Sequence, residues 1–451
     1  MRFWIVVAAL ALCLLLGGSS RHDSILLLAL RPLLVLLAAA LLAFFPPRGL
    51  QPVRWLIILW ASLAAWIALQ LVPLPPTLWA GLPGREKFAE IYSAAGMDIP
   101  WHALSLAPDR TWSSLLTLLL APAIILFGLG ESDREQRARL IPILALFAAA
   151  SAFLGAVQMA SGEVSPFYFH QYANRDAPIG FLANRNHQAA FLAMTLPLLR
   201  CWVELPSADA RRAFARNVIA GIFAMLIVVM TLVSGSRAGL VLLCLAIALA
   251  AFGGRPRSGR GRFGVSVLVG IVTLALAVAA AAVMFLGRAQ SIDRVFDLEV
   301  EQEQRFTSLP IFLDMIRDLM PVGSGFGTFD HLFRSYEPDS ALSGTYLNNA
   351  HNDLAELAIT GGVPALLILA AFLLWWGWAT IRAFRVVSGP VDAVIARASA
   401  SALLILLLAS LTDYPLRTPF LGAVFAALCV LLQLGITGTR NAGAAVATQV
   451  R

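Results

Sequence analysis

Three short stretches carry residue types whose spacing suits chemistry. Asn348-Asn349-Ala350-His351-Asn352-Asp353-Leu354-Ala355-Glu356 sets an imidazole among amides and carboxylates, just ahead of an apolar run starting near Leu357. Ala183-Asn184-Arg185-Asn186-His187-Gln188 and Ser234-Gly235-Ser236-Arg237-Ala238-Gly239 each place an arginine at the head of another apolar run. Tyr414 and Arg417 flank the turn between two more such runs. A helix N-terminus offers free N–H groups and a positive dipole end, and arginine adds a charged planar fork that matches phosphate oxygens. That combination points to anion binding by Arg185 and Arg237, next to an imidazole at His351 that can move a proton near neutral pH. Plainer readings stand beside these. Asn349, Asn352 and Asp353 suit a helix cap and an acidic first turn, and Arg237 suits an arginine snorkelling at a membrane interface. Asp353 fits a cap and an orienter of His351 equally well. The cap does not account for the histidine.

The elements that must position these residues follow from composition. Of the 451 residues, 59% are hydrophobic and 13% charged, with a mean hydropathy of +0.79; a soluble domain carries roughly 25% charged residues. The sequence is that of an all-α polytopic membrane protein. Its net charge of +7 comes almost wholly from arginine, since Lys87 is the only lysine. This excess does not imply nucleic acid, because basic residues gather in cytoplasmic loops. With about 20 apolar residues per crossing, twelve segments read as transmembrane helices: about 3–18, 24–45, 53–72, 111–130, 138–160, 187–204, 214–233, 237–252, 264–287, 353–381, 394–411 and 418–436. Arg2 precedes the first, but no small-residue cleavage site follows, so it reads as a helix rather than a signal peptide.

Four arginine groups fix the orientation: Arg134, Arg137 and Arg139; Arg211, Arg212 and Arg216; Arg255, Arg257, Arg260 and Arg262; and Arg382, Arg385 and Arg397. All fall on one side, which is therefore cytoplasmic. Loops 73–110, 161–186 and 288–352 then lie outside, and both termini inside. The expected organisation is one transmembrane domain over 1–436, with the large periplasmic loop 288–352 between its ninth and tenth helices, and a cytoplasmic tail over 437–451. Under this count the chemical stretches all sit at periplasmic ends of helices, where one site could gather them.

The remaining features read as structural. Residues 305–320 put Ile311, Phe312, Met315 and Leu319 on one face of a short amphipathic helix. Gly323-Ser324-Gly325-Phe326-Gly327 lacks the strand and spacing of a dinucleotide site and reads as a flexible turn. Glu299, Glu301 and Glu303 read as a solvated face rather than a metal site, and Arg31, beside Pro32, as a snorkelling arginine. Cys13, Cys201, Cys244 and Cys429 lie in or beside apolar segments and behave as small core hydrophobes.

Taken together, Asn184-Arg185-Asn186-His187, Ser236-Arg237-Ala238-Gly239, Pro321 to Phe329 with its three glycines, and Ala350-His351-Asn352-Asp353 resemble the O-antigen ligase and O-antigen polymerase superfamily over about residues 180–365. The resemblance implies transfer of a glycan from an undecaprenyl-diphosphate carrier to an acceptor hydroxyl at the periplasmic face of the bacterial inner membrane. The acceptor would be a glycan or a lipid A-core, with membrane lipid around the site and no nucleic acid partner. It also implies catalytic roles for Arg185 and Arg237 on the diphosphate and for His351 on the acceptor. Asn184, Asn186, His187, Ser236, Asn352, Asp353, Tyr414 and Arg417 are the expected substrate-binding residues. Neither a cofactor nor a metal is expected, and a single displacement would invert the anomeric centre. The superfamily fold also includes protein O-oligosaccharyltransferases. The competing class is an anion transporter, but transporters bind near the midplane and carry internal repeats, and here the polar groups gather at one face.

Overall fold

The structure, a computed structural model, describes residues 1–207, 209–252, 270, 308–338, 347–385 and 390–449. Uninterrupted Leu, Ala, Ile and Val favour helix wherever lipid denies the backbone any other hydrogen-bond partner. The long helices are α1 (Arg2–Leu16), α2 (Leu26–Phe44), α3 (Arg54–Leu69), α6 (Pro108–Leu129), α7 (Arg134–Ser161), α8 (Arg185–Glu204), α9 (Ala210–Val233), α10 (Arg237–Phe252), α13 (Asp353–Arg385), α14 (Pro390–Ala409) and α15 (Pro419–Gln449). Among the described residues, eight are long and apolar enough to cross a membrane, while α1 and α10 are apolar but shorter. Segment 264–287, the arginine loop at 255–262, the acidic stretch at 299–303 and most of loop 288–352 lie outside the described residues. α15 stays helical to Gln449, so the expected tail begins as helix. The alanines there favour that state.

The bundle is built around α8, which packs against α7, α9, α10 and α14. From His187 to Leu199 every residue of α8 is buried. Close approach of α10 depends on Gly239, where a Cβ would stand 2.5 Å from that of Ala189. At the end of the bundle remote from His351, the buried Asp392 carboxylate accepts from Arg134 and Arg137, each at 2.9 Å, and locks α14 to α7.

The other end carries the shorter elements: α4 (Pro76–Ala80), α5 (Glu86–Ala94), α11 (Leu309–Leu319) and α12 (Phe329–Phe333). Two-residue strands β1 (Pro73–Leu74) and β2 (His102–Ala103) pair antiparallel. α11 buries Phe312, Met315 and Leu319 against Phe329, Phe333 and Ile359. The glycine-rich turn is not the flexible element expected. Ser324 N donates to the Ile359 carbonyl (3.0 Å), Gly325 N to that of Thr360 (2.9 Å), and Phe326 N to Gln70 Oε1 (3.0 Å). Gly323, Gly325 and Gly327 take φ of 77°, 108° and 80°, and a Cβ on Gly325 would meet Ser105 at 2.3 Å. Glycine is required there for tight burial, and the turn braces α13 two turns past His351. A second positive φ, 62° at Gly362, divides α13 into two helices across a kink.

Candidate functional site

Each motif enters the site at the mouth of a helix. Asn184 is the N-cap of α8, its Oδ1 accepting from Asn186 N at 2.7 Å. Asn352 caps α13, its Oδ1 accepting from Leu354 N (3.0 Å) and Ala355 N (3.1 Å). Ser236 caps α10, its Oγ accepting from Gly239 N at 2.9 Å, after Gly235 has turned the chain with φ 65°. His351 itself has φ 49°, a left-handed conformation uncommon for any residue other than glycine. It is held there by backbone bonds on either side of it. Ala350 N donates to Glu356 Oε2 (2.9 Å), and Asp353 N to the Ser410 carbonyl (2.9 Å).

The centre of the site is Asp413, which motif reasoning missed. Its Oδ1 lies 3.3 Å from His351 Nδ1 and 3.5 Å from His187 Nε2. Its Oδ2 accepts from Asn186 Nδ2 (2.7 Å) and Asn184 Nδ2 (3.3 Å). Asn186 Oδ1 in turn accepts from Ser236 Oγ at 2.7 Å. One carboxylate thus joins the mouths of α8 and α13, and through Ser236 that of α10. Tyr414 fills the wedge between the imidazoles, edge-to-face with His187 (5.0 Å) and with His351 (4.9 Å). Burial alone would raise the Asp413 carboxyl, but the His187 and His351 rings outweigh it and hold the group well below the ordinary carboxylate range. His351 Nδ1 faces Asp413 at 3.3 Å without meeting hydrogen-bond geometry, and a small ring rotation would give the arrangement of a base steadied by a carboxylate, with Nε2 open to a partner.

The expected arginines are placed differently from one another. Arg185, at the first position of α8, sits 3.4 Å from Asp176, and its backbone N donates to Asn174 Oδ1. Arg237 is exposed, one residue after the Ser236–Asn186 bond. Arg417 makes two ion pairs. Its Nε donates to Asp353 Oδ1 and its Nη1 to Glu356 Oε1, both at 2.8 Å. These two ion pairs anchor α13 and engage its fork with two carboxylates. Asp353 therefore neither caps the helix nor orients His351; it accepts from Arg417. Arg31 also differs from the snorkelling expected of it: its Nη2 donates to the Ser113 hydroxyl and carbonyl, between α2 and α6.

The fold and this cluster define a class: an all-α, multi-pass membrane protein with a buried His–Asp centre at the helix mouths of one end. Residues 222–370 match the family described as O-antigen ligase. That segment, about a third of the chain, is what resembles the O-antigen ligase superfamily, a glycan-transferring family of membrane glycosyltransferase-like enzymes. The match includes Ser236, Arg237 and His351, while Arg185 and Asp413 lie outside it. No curated protein matches the chain.

Proposed function

We propose that the chain transfers a saccharide from a polyprenyl diphosphate, undecaprenyl diphosphate in bacteria, to an acceptor hydroxyl at the periplasmic face of the inner membrane, as an O-antigen ligase or polysaccharide polymerase. One observation carries the reading: Asp413 touches His351 with one oxygen and the Asn184–Asn186 turn, which leads into Arg185, with the other. Acceptor chemistry and leaving-group chemistry then stand on two sides of a single carboxylate.

In this reading the acceptor hydroxyl approaches His351 Nε2 and attacks the anomeric carbon from the face opposite the diphosphate. The new C–O bond forms as the bond to the diphosphate oxygen breaks, inverting the centre, and the hydroxyl proton passes to Nε2. Asp413 stabilises the imidazolium that results, and general-base assistance of this kind is worth ~10²–10⁴ in rate. Negative charge collects on the departing diphosphate, and in this reading the Arg185 and Arg237 guanidinium groups and the positive ends of α8 and α10 stabilise it.

Reconstitution tests the reading. The full chain in liposomes, given a polyprenyl-diphosphate glycan and in turn a lipid A-core, a free glycan and a polypeptide, should join saccharide to one of the first two. Transfer to the polypeptide alone would make it a protein O-oligosaccharyltransferase. Movement of an anion across the liposome without glycan transfer would make it a transporter.

A further inference from the structure

A second basic cluster stands at the same end of the bundle, where α2 meets α6. Arg31 Nη2 donates to Ser113 Oγ and, at 3.4 Å, to the Ser113 carbonyl. His22, in the turn between α1 and α2, holds Nδ1 3.1 Å from the same hydroxyl. Arg110 lies one helical turn before Ser113. Gly327 closes the cluster: a Cβ there would sit 3.0 Å from both His22 Nε2 and the Arg110 carbonyl oxygen.

The charges in this cluster are poorly compensated. Among the described residues Arg31 pairs with no carboxylate. Arg110 lies 3.5 Å from the largely exposed Asp109 and within electrostatic reach of Asp23, whose carboxylate is already paired with Arg21. The Nε atoms of both arginines are buried without a hydrogen bond, that of Arg110 being the atom 3.5 Å from Asp109. Burial, and after it Arg110, Arg417 and Arg31, push the His22 imidazolium down to about 4 against the pull of Asp330, so the ring is neutral. Arg417 is balanced by Asp353 and Glu356; Arg31 and Arg110 are not. Half-buried guanidinium groups lacking a counter-charge are costly until an anion joins them, and their planar forks suit phosphate. Arg31 also lies in the second turn of an apolar helix long enough to cross a membrane.

We propose that Arg31 and Arg110, with His22, form a second anion subsite that takes a phosphate of an amphiphile lying in the membrane beside the His351 centre. The phosphate belongs either to a lipid diphosphate such as the glycan carrier or to a phosphorylated acceptor lipid. The inference rests on the function proposed above only for the identity of that amphiphile, and its test reads binding rather than transfer.

The full chain in phosphatidylcholine nanodiscs is titrated with farnesyl diphosphate, with phosphatidic acid and with inorganic diphosphate, and bound equivalents are counted by native mass spectrometry. The wild type should hold farnesyl diphosphate at two sites. Arg31→Gln with Arg110→Gln should keep one and weaken the other at least ~10-fold, the loss expected when charge-assisted hydrogen bonds are removed. Retention of the first site reports that this variant is folded, and Arg31→Lys with Arg110→Lys should recover part of the second. Arg237→Gln should affect only the first, so its failure to do so tells against the function proposed above and not against the subsite. Phosphatidic acid competing at the second site assigns a phosphorylated acceptor; no competition assigns the diphosphate carrier. Unchanged stoichiometry and affinity in the Gln pair would overturn the proposal, as would inorganic diphosphate filling the second site as tightly as the lipid form.

Discussion

The Asp413 carboxylate lies 3.3 Å from Nδ1 of His351, across the junction between the turn before α15 and the mouth of α13. The same side chain touches His187 and two asparagines from α8. Its loss should therefore affect proton transfer and alignment of the motifs together. Asp413→Asn keeps the shape and removes the charge that would stabilise an imidazolium. The expected result is a fall in kcat of ~10²–10⁴, with the donor KM changed far less. An unchanged kcat in a reconstituted transfer assay would remove Asp413 from the mechanism.

Arg237→Lys should lose most transfer activity while the protein inserts and folds normally. Lysine keeps the positive charge but not the bidentate fork that phosphate oxygens match. A fully active lysine variant would return Arg237 to the role of an interfacial arginine.

Arg417→Gln breaks ion pairs to Asp353 and Glu356 and leaves Glu356, 1% exposed, without its cation. Removing one partner of a buried pair typically costs about 3–5 kcal/mol, so a clear drop in Tm is expected. Activity should fall as well, because His351 is held between two residues of this anchored turn. A normal Tm would show that the anchor is dispensable.

His22 makes stability depend on pH in a stated direction. Its ordinary value is 6.5 and burial with nearby arginines lowers it to about 4 in the fold. Between those values the unfolded chain binds a proton that the folded chain does not, so stability falls as pH drops through this window and is level above it. The full effect is about 3 kcal/mol. Thermal unfolding in detergent from pH 7.5 to 4.5 should show the slope, and His22→Gln should flatten it. An equal slope in the variant would assign the loss to other groups.

Transfer should survive excess chelator, since Arg185, Arg237 and two helix mouths can supply positive charge to the leaving group. Replacing Glu299, Glu301 and Glu303 by glutamine should change activity little. Chelator inhibition reversed by Mg²⁺ or Mn²⁺ would move attention to that acidic stretch.

The helix mouths that carry His351, Arg185 and Arg237 were legible, because charged or titratable groups at the head of apolar helices stand out against their surroundings. Asp413 was not. In Thr412-Asp413-Tyr414-Pro415 an aspartate before a proline turn looks like ordinary turn chemistry, and nothing local says that histidines from two distant motifs will close on it. Its signal was weak but present: an ionisable residue confined between two apolar segments, beside a tyrosine already under suspicion. The ion pairs of Arg417 were hidden for the same reason, since its carboxylate partners lie on another helix. The glycine-rich turn was misjudged because glycine content alone does not separate mobility from close packing.

The enclosure of α8 bears on how related chains can be sorted. Wrapped by four other helices, α8 needs little grease of its own, and it is not among the eight that pass for membrane-crossing by length and hydropathy. A survey that scores only lipid-facing segments would skip it and shift the parity of the count. The α8–α9 and α9–α10 loops would then be placed in the wrong compartment relative to the loop before α8, and only the loss of α10, which is also too short, would restore the parity. For chains of this kind the number of crossings is better counted from the polar residues that helix mouths must share than from hydropathy alone.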